Sequence, residues 1–171
     1  MQAFRQAYDV AHKAGIRNTY IVPSLPWLAT ALRSQAERVA EQDPAAALLL
    51  WRRARWAVRR GLRLARRFQN DLPHALREAA WLAVQRGRAG QARRLFDEGL
   101  QVAQRQGARY EHALTLQARG EVGRRFGWPD AETQFAAARE VLRALEDSAP
   151  DPAGHRVCCP TSELAPEPRG G

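Results

Sequence analysis

One pattern returns along this chain and limits what it can fold into. Ala47-x3-Trp51-x2-Ala54 recurs as Ala92-x3-Phe96-x2-Gly99 and again as Ala131-x3-Phe135-x2-Ala138, with a partial copy, Phe4-x2-Ala7, near the beginning. The four aromatics are spaced 47, 45 and 39 residues apart. Residues four apart on a helix share a face. A small side chain there lets a partner helix approach closely, and an aromatic one turn further on fills the gap between units. A helical unit that cannot cover its own apolar face must stack on its neighbours. The spacing therefore predicts stacked helical hairpins anchored by Phe4, Trp51, Phe96 and Phe135.

Composition agrees with an all-α fold. The hydrophobic share, 45 %, comes mainly from Ala and Leu, and Ala, Leu, Arg, Gln and Glu dominate the chain. These are strong helix formers. One short β-rich run, Thr19 to Val22, is closed by Pro23. Helix ends are legible: Gly15, Gly87, Gly107 and Gly127 each close an apolar-periodic run. Starts are marked by Asp43-Pro44, Asp71-Leu72-Pro73 and Trp128-Pro129-Asp130-Ala131-Glu132. The expectation is seven helices, at about 2–14, 25–42, 44–69, 72–86, 89–106, 108–126 and 129–147. They make three antiparallel hairpins and one unpaired first helix. That first helix carries second-helix anchors without a partner, so it offers a surface for self-association.

The division expected is a helical-repeat domain over 1–147 and a disordered Pro/Gly-rich tail over 148–171. The tail carries two arginines against three acids, a charge of −1, so with a net charge of +9 the body carries +10. Cys158 and Cys159 are adjacent, and with His155 they make a poor tetrahedral set, so no metal or other cofactor is expected. No apolar leader opens the chain and no stretch of about 18 apolar residues is present. The expected setting is the cytoplasm, with no membrane partner.

The repeated pattern resembles the second helix of a tetratricopeptide repeat, small-x3-aromatic-x2-small. The first-helix signature departs from that family: Leu76, Ala79, Ala80 and Ala83 stand where its Trp-Leu-Gly-Tyr set is usual, and the spacing is longer. Three segments are similar to the helical-repeat region of large bacterial signalling ATPases. They are Phe68-Gln69-Asn70-Asp71-Leu72-Pro73-His74-Ala75-Leu76-Arg77-Glu78, the run from Ala103 to Ala113, and Gly120 to Ala131 with its Gly127-Trp128-Pro129. Those proteins join kinase, STAND-type NTPase, repeat and sensor domains, and their repeats bind partners or regulate the NTPase. The resemblance covers roughly residues 1–147. It implies a TPR-like superhelix whose first helices form the concave face, with Arg77, Trp81 and Tyr110 as partner-binding residues. None of the family's catalytic motifs falls within this chain.

Candidate chemistry is sparse. A P-loop needs Lys followed by Ser or Thr, and the single lysine, Lys13, precedes Ala14. Gly120-x2-Gly123-x3-Gly127 follows no strand and is read as close helix packing with a helix stop. His74 is followed by Ala75, not by the acid a phosphoacceptor box needs, and is read as a structural first-turn histidine. His12, His112 and His155 are scattered. The strongest charge feature is the stretch from Pro44 to Gln69. It holds Arg52, Arg53, Arg55, Arg59, Arg60, Arg63, Arg66 and Arg67, with no acid between Asp43 and Asp71. Trp51, Ala54, Val58, Leu62 and Ala65 form one apolar stripe, so the arginines take the other face. The plain reading is a solvated face partly neutralised by acids from neighbouring helices.

The preferred function is a non-catalytic protein–protein interaction or scaffold module in a bacterial signalling system, part of a larger multidomain ATPase. The alternative is nucleic-acid binding through Arg59, Arg60, Arg63 and Arg67, disfavoured because aromatics scarcely interleave with the arginines. Trp56 is the exception to that pattern.

Overall fold

The structure, a computed structural model, describes residues 2–15 and 23–148. The tail beyond Ser148, its two cysteines, His155 and the Thr19–Val22 run lie outside the described residues. Among the described residues seven α-helices follow one another: α1 Gln2–Lys13, α2 Ser24–Val39, α3 Pro44–Ala65, α4 Leu72–Gln85, α5 Ala89–Arg105, α6 Arg109–Phe126 and α7 Ala131–Asp147. No strand occurs among the described residues. The fold is all-α.

Several helix ends have a clear local reason. The Asp43 carboxylate accepts from the Ala46 N–H at 2.9 Å, and Pro44 takes the first helical position, where no donor is needed. Gly15, Gly87, Gly107 and Gly127 all adopt φ between 63° and 69°, the left-handed region open to glycine. Two helices stop earlier than periodicity suggests. Helix α2 ends at Val39 because Asp43 N–H turns back to the Val39 carbonyl. Helix α3 ends at Ala65, not Gln69. There the N–H groups of Arg67 and Phe68 both converge on the Leu64 carbonyl, and Phe68 then extends into a 3-10 turn over Gln69–Asp71.

The closest pairings are α2 with α3, α4 with α5 and α6 with α7, which makes three hairpins in chain order. Between hairpins, α3 packs on α4 and α5 on α6, and α1 packs on α2 in the same sense. Helix α4 also meets both α2 and α6, whereas α3, α5 and α7 share no comparable contact. The stack therefore bends toward its first helices. At its centre α4 is buried on nearly every side, and Leu95 of α5 packs against all three apolar clusters.

The repeated motif is only partly what its spacing suggests. All six small positions, Ala47, Ala54, Ala92, Gly99, Ala131 and Ala138, are buried. Of the aromatics, Phe96 alone is fully enclosed; Trp51 and Phe135 are half-buried. The copy at Phe4 and Ala7 is displaced, since both are exposed and α1 buries Tyr8 and Ala11 instead. Tyr8-x2-Ala11 is the same aromatic–small pair one turn later, and only the packing on α2 selects it. The glycine pair of α6 is close packing, as expected. A Cβ on Gly120 would stand 2.9 Å from the Ala131 carbonyl oxygen, and one on Gly123 would stand 2.8 Å from the Ala131 Cβ.

Candidate functional site

Two surfaces built from the same residue type dominate the polar chemistry. The first runs along the first helices, where three largely buried arginines each hold an acid: Arg33 and Arg77 across to the next first helix, Arg119 across to α5 and the start of α7. Arg33 of α2 donates through Nε to Glu78 of α4 at 2.9 Å and through Nη1 to Glu37 at 3.1 and 3.2 Å. Burial alone would lower the Arg33 pKa; the hydrogen bond and charge of Glu78, with those of Glu37, raise it above its ordinary value. Arg77 of α4 reaches Glu111 of α6 at 2.6 Å and Thr115 at 3.1 Å. Arg119 of α6 reaches Asp97 at 2.7 Å and Asp130 at 2.8 Å, and also bonds Gln134. A guanidinium out of water needs such partners, because an unpaired buried charge costs several kcal/mol (about 3–5).

His74 completes the α2–α4 seam. It is buried, its Nε2 lies 2.9 Å from Thr30 Oγ1, and its ring meets Trp27 edge-on at 4.8 Å. Burial, then the charges of Arg77 and Arg33, lower its pKa to about 3, so it is neutral. The Thr30 hydroxyl also lies 2.9 Å from Glu78 Oε1. The hydroxyl's one proton goes to an acceptor, the Glu78 carboxylate at 2.9 Å or the Pro26 carbonyl at 3.1 Å, so in either case His74 Nε2–H donates to Thr30. His74 is thus a structural histidine.

The residues expected to face a partner are divided by this arrangement. Arg77 is 7 % exposed, and its guanidinium is committed to Glu111 and Thr115. Trp81 is half-buried, with the Arg33 guanidinium 5.0 Å above its ring and Phe96 in a T-shaped contact at 6.2 Å. Tyr110 is 55 % exposed at the start of α6. Trp27, which the sequence reading passed over, is 45 % exposed at the start of α2. Its signal lay in Pro23 and Pro26, which place it in the first turn of a helix, where side chains outflank the packed body.

The second surface is the outer face of α3. Arg52, Arg53, Arg59, Arg63, Arg66 and Arg67 are exposed, and none of the α3 arginines ion-pairs with any acid among the described residues. The expected neutralisation by neighbouring helices is absent there. The acids of α2 and α4, which flank it, are spent elsewhere: Glu37 and Glu78 are both on Arg33. The neighbouring hairpin instead adds Arg86 and Arg88. Burial, then the cations of Arg55, Arg88 and Arg59, push the Arg86 pKa down. Arg60 leaves this group: its Nε donates to Tyr8 Oη at 2.6 Å and its Nη2 lies 2.8 Å from His12 Nε2, so it docks α1. Trp56 projects off the apolar stripe and is 46 % exposed.

No family model, curated protein or solved structure matches this chain. The likeness to the signalling ATPases rests on the quoted segments alone. Among the described residues, no helix is long and apolar enough to cross a membrane, and no three His, Cys, Asp or Glu converge as metal ligands.

Proposed function

We propose that this chain is a non-catalytic, TPR-like protein-interaction module of a cytoplasmic bacterial signalling system, belonging to a larger multidomain ATPase. The observation that carries the reading is the inner rim. The first helices α2, α4 and α6 place Trp27, Trp81 and Tyr110 at or near the surface. The buried pairs Arg33–Glu78 and Arg77–Glu111 bolt those helices together. Interface centres favour Trp, Tyr and Arg on preorganised supports, because large rigid rings bury area at little entropic cost. Arg77 contributes as a bolt and Tyr110 as a contact.

The test is a pair of substitutions. Trp27→Ala with Tyr110→Ala should leave the helical circular dichroism intact. It should also remove the proteins that the wild-type chain captures, by quantitative affinity capture, from the cells that produce it. Capture of the same proteins in the same amounts by both chains would show that the inner rim is not the binding surface.

A further inference from the structure

Among the described residues, the exposed arginines of the outer face of α3 form no ion pair and dock no neighbouring hairpin, Arg60 and half-buried Arg55 apart. Of these, only Arg67 makes a contact, lying over the Phe68 ring at 5.8 Å, whereas Arg33, Arg77 and Arg119 are all engaged. Like charges crowded without counterions raise the free energy of the folded chain, and a bound polyanion lowers it. The exposed cations are arranged, not scattered. Arg52, Arg59 and Arg63 recur at helical spacing along one stripe, with Arg66 and Arg67 just beyond the last turn. At a rise of about 1.5 Å per residue, the row from Arg52 to Arg63 extends over roughly 16 Å. Arg86 and Arg88 widen it sideways.

Trp56 sits within this row, one turn after Arg52 and one turn before Arg59 and Arg60. Nearly half of it is exposed, and a T-shaped contact with Tyr8 at 5.8 Å and 83° steadies the ring. An exposed aromatic among arginines is what unpaired bases require: cations for the backbone, a π-face for the base. Planar guanidinium groups suit phosphate better than ammonium groups, since they bind it in bidentate fashion. A bilayer fits less well. An interfacial helix needs apolar side chains along its length. Here the large exposed apolar residues of α3 stop at Trp56, and Leu48 and Leu49 are confined to its first turns.

We propose that the outer face of α3 docks single-stranded nucleic acid, with Arg52, Arg59, Arg63 and Arg67 neutralising phosphates and Trp56 stacking on a base. This surface is separate from the inner rim and does not depend on the function assigned to it.

The experiment uses the full chain and a fluorescent oligothymidylate of about 20 nucleotides, which exceeds the site such a face can cover. Fluorescence anisotropy should show binding whose log K falls with log salt with a slope of about −0.7 per phosphate, or roughly −3 for four contacts. Changing Arg52, Arg59, Arg63 and Arg67 to Glu should abolish it. Changing the same four to Gln should weaken it strongly, and this set serves if the reversed one loses helicity. Trp56→Ala should lower affinity by about 5- to 150-fold, the range of one lost base stack. Changing Arg94, Arg105, Arg139 and Arg143 to Glu makes the same charge change elsewhere and should keep most of the affinity. Equal losses from the two reversed sets would overturn the proposal in favour of bulk charge. So would tighter binding to polyglutamate or to vesicles containing phosphatidylglycerol than to the oligonucleotide. An unaltered affinity in Trp56→Ala would overturn the single-strand assignment.

Discussion

The inner seam and the outer face of α3 put the same side chain to opposite uses. Arg33 and Arg77 join successive first helices and Arg119 joins α6 to α5 and to the start of α7; all three are largely withdrawn from water, and each meets a carboxylate between 2.6 and 2.9 Å away. On α3 and just past its end, six exposed arginines keep their hydration and ion-pair with no acid among the described residues. The difference follows from desolvation. A buried guanidinium without a partner is too costly to fold, so pairing there is obligatory, while an exposed one is indifferent to partners. The seam is therefore part of the architecture, and the outer face is free for an external anion.

That contrast can be broken most forcefully at Glu78. Glu78→Ala strips largely buried Arg33 of its main partner and should cost about 3–5 kcal/mol. Chemical denaturation measures it, and a loss below about 1 kcal/mol would mean that Glu37 and water replace the pair. The apolar anchors sharpen the same division. Phe96, enclosed behind Trp81, should cost about 3–5 kcal/mol as Phe96→Ala. Trp51, half-buried on the basic helix, should cost clearly less as Trp51→Ala, on the order of 1–3 kcal/mol, because part of its area is already in water. Thermal melts that reversed this order would place the tighter core at the wrong hairpin.

A pH titration gives the next effect in size. In the folded chain His74 stays neutral down to a pKa of about 3. The unfolded chain takes up that proton near 6.5. Stability supplied by the neutral ring is therefore present above pH 6.5 and is lost as pH falls below it. The slope is up to about 1.4 kcal/mol per pH unit. Between pH 6.5 and 4.5, above most carboxylate titrations, His74→Gln should flatten that slope; an unchanged slope would mean that the histidine is hydrated. The smallest effect belongs to the outer face. Arg59→Gln and Arg63→Gln, made singly, should each shift folding stability by no more than about 0.5 kcal/mol. A large destabilisation would reveal pairing on that face.

The helices were legible because their signals are local. Asp43-Pro44 states a start, and Gly15, Gly87, Gly107 and Gly127 state ends, through backbone geometry confined to a few residues. The small residues of the repeated motif were legible for the same reason, since a helix periodicity marks its own buried stripe. The register of α1 was not. Phe4-x2-Ala7 and Tyr8-x2-Ala11 differ by one turn and lie close on the helix, and only contact with α2 and Arg60 puts Tyr8 inside. The end of α3 was missed because nothing in the side chains of Arg66 to Gln69 opposes a helix.

What the chain alone determines, then, is that it makes helices, roughly where they stop, and which small residues face a neighbour. Which arginine is a bolt and which is a free cation was decided only by the tertiary structure. Arg33 and Glu78 are 45 residues apart, and Arg77 and Glu111 are 34 apart. Nothing in local spacing distinguishes Arg77 from Arg63. Burial and a carboxylate carried in by another helix make the distinction, and both exist only once the hairpins have stacked.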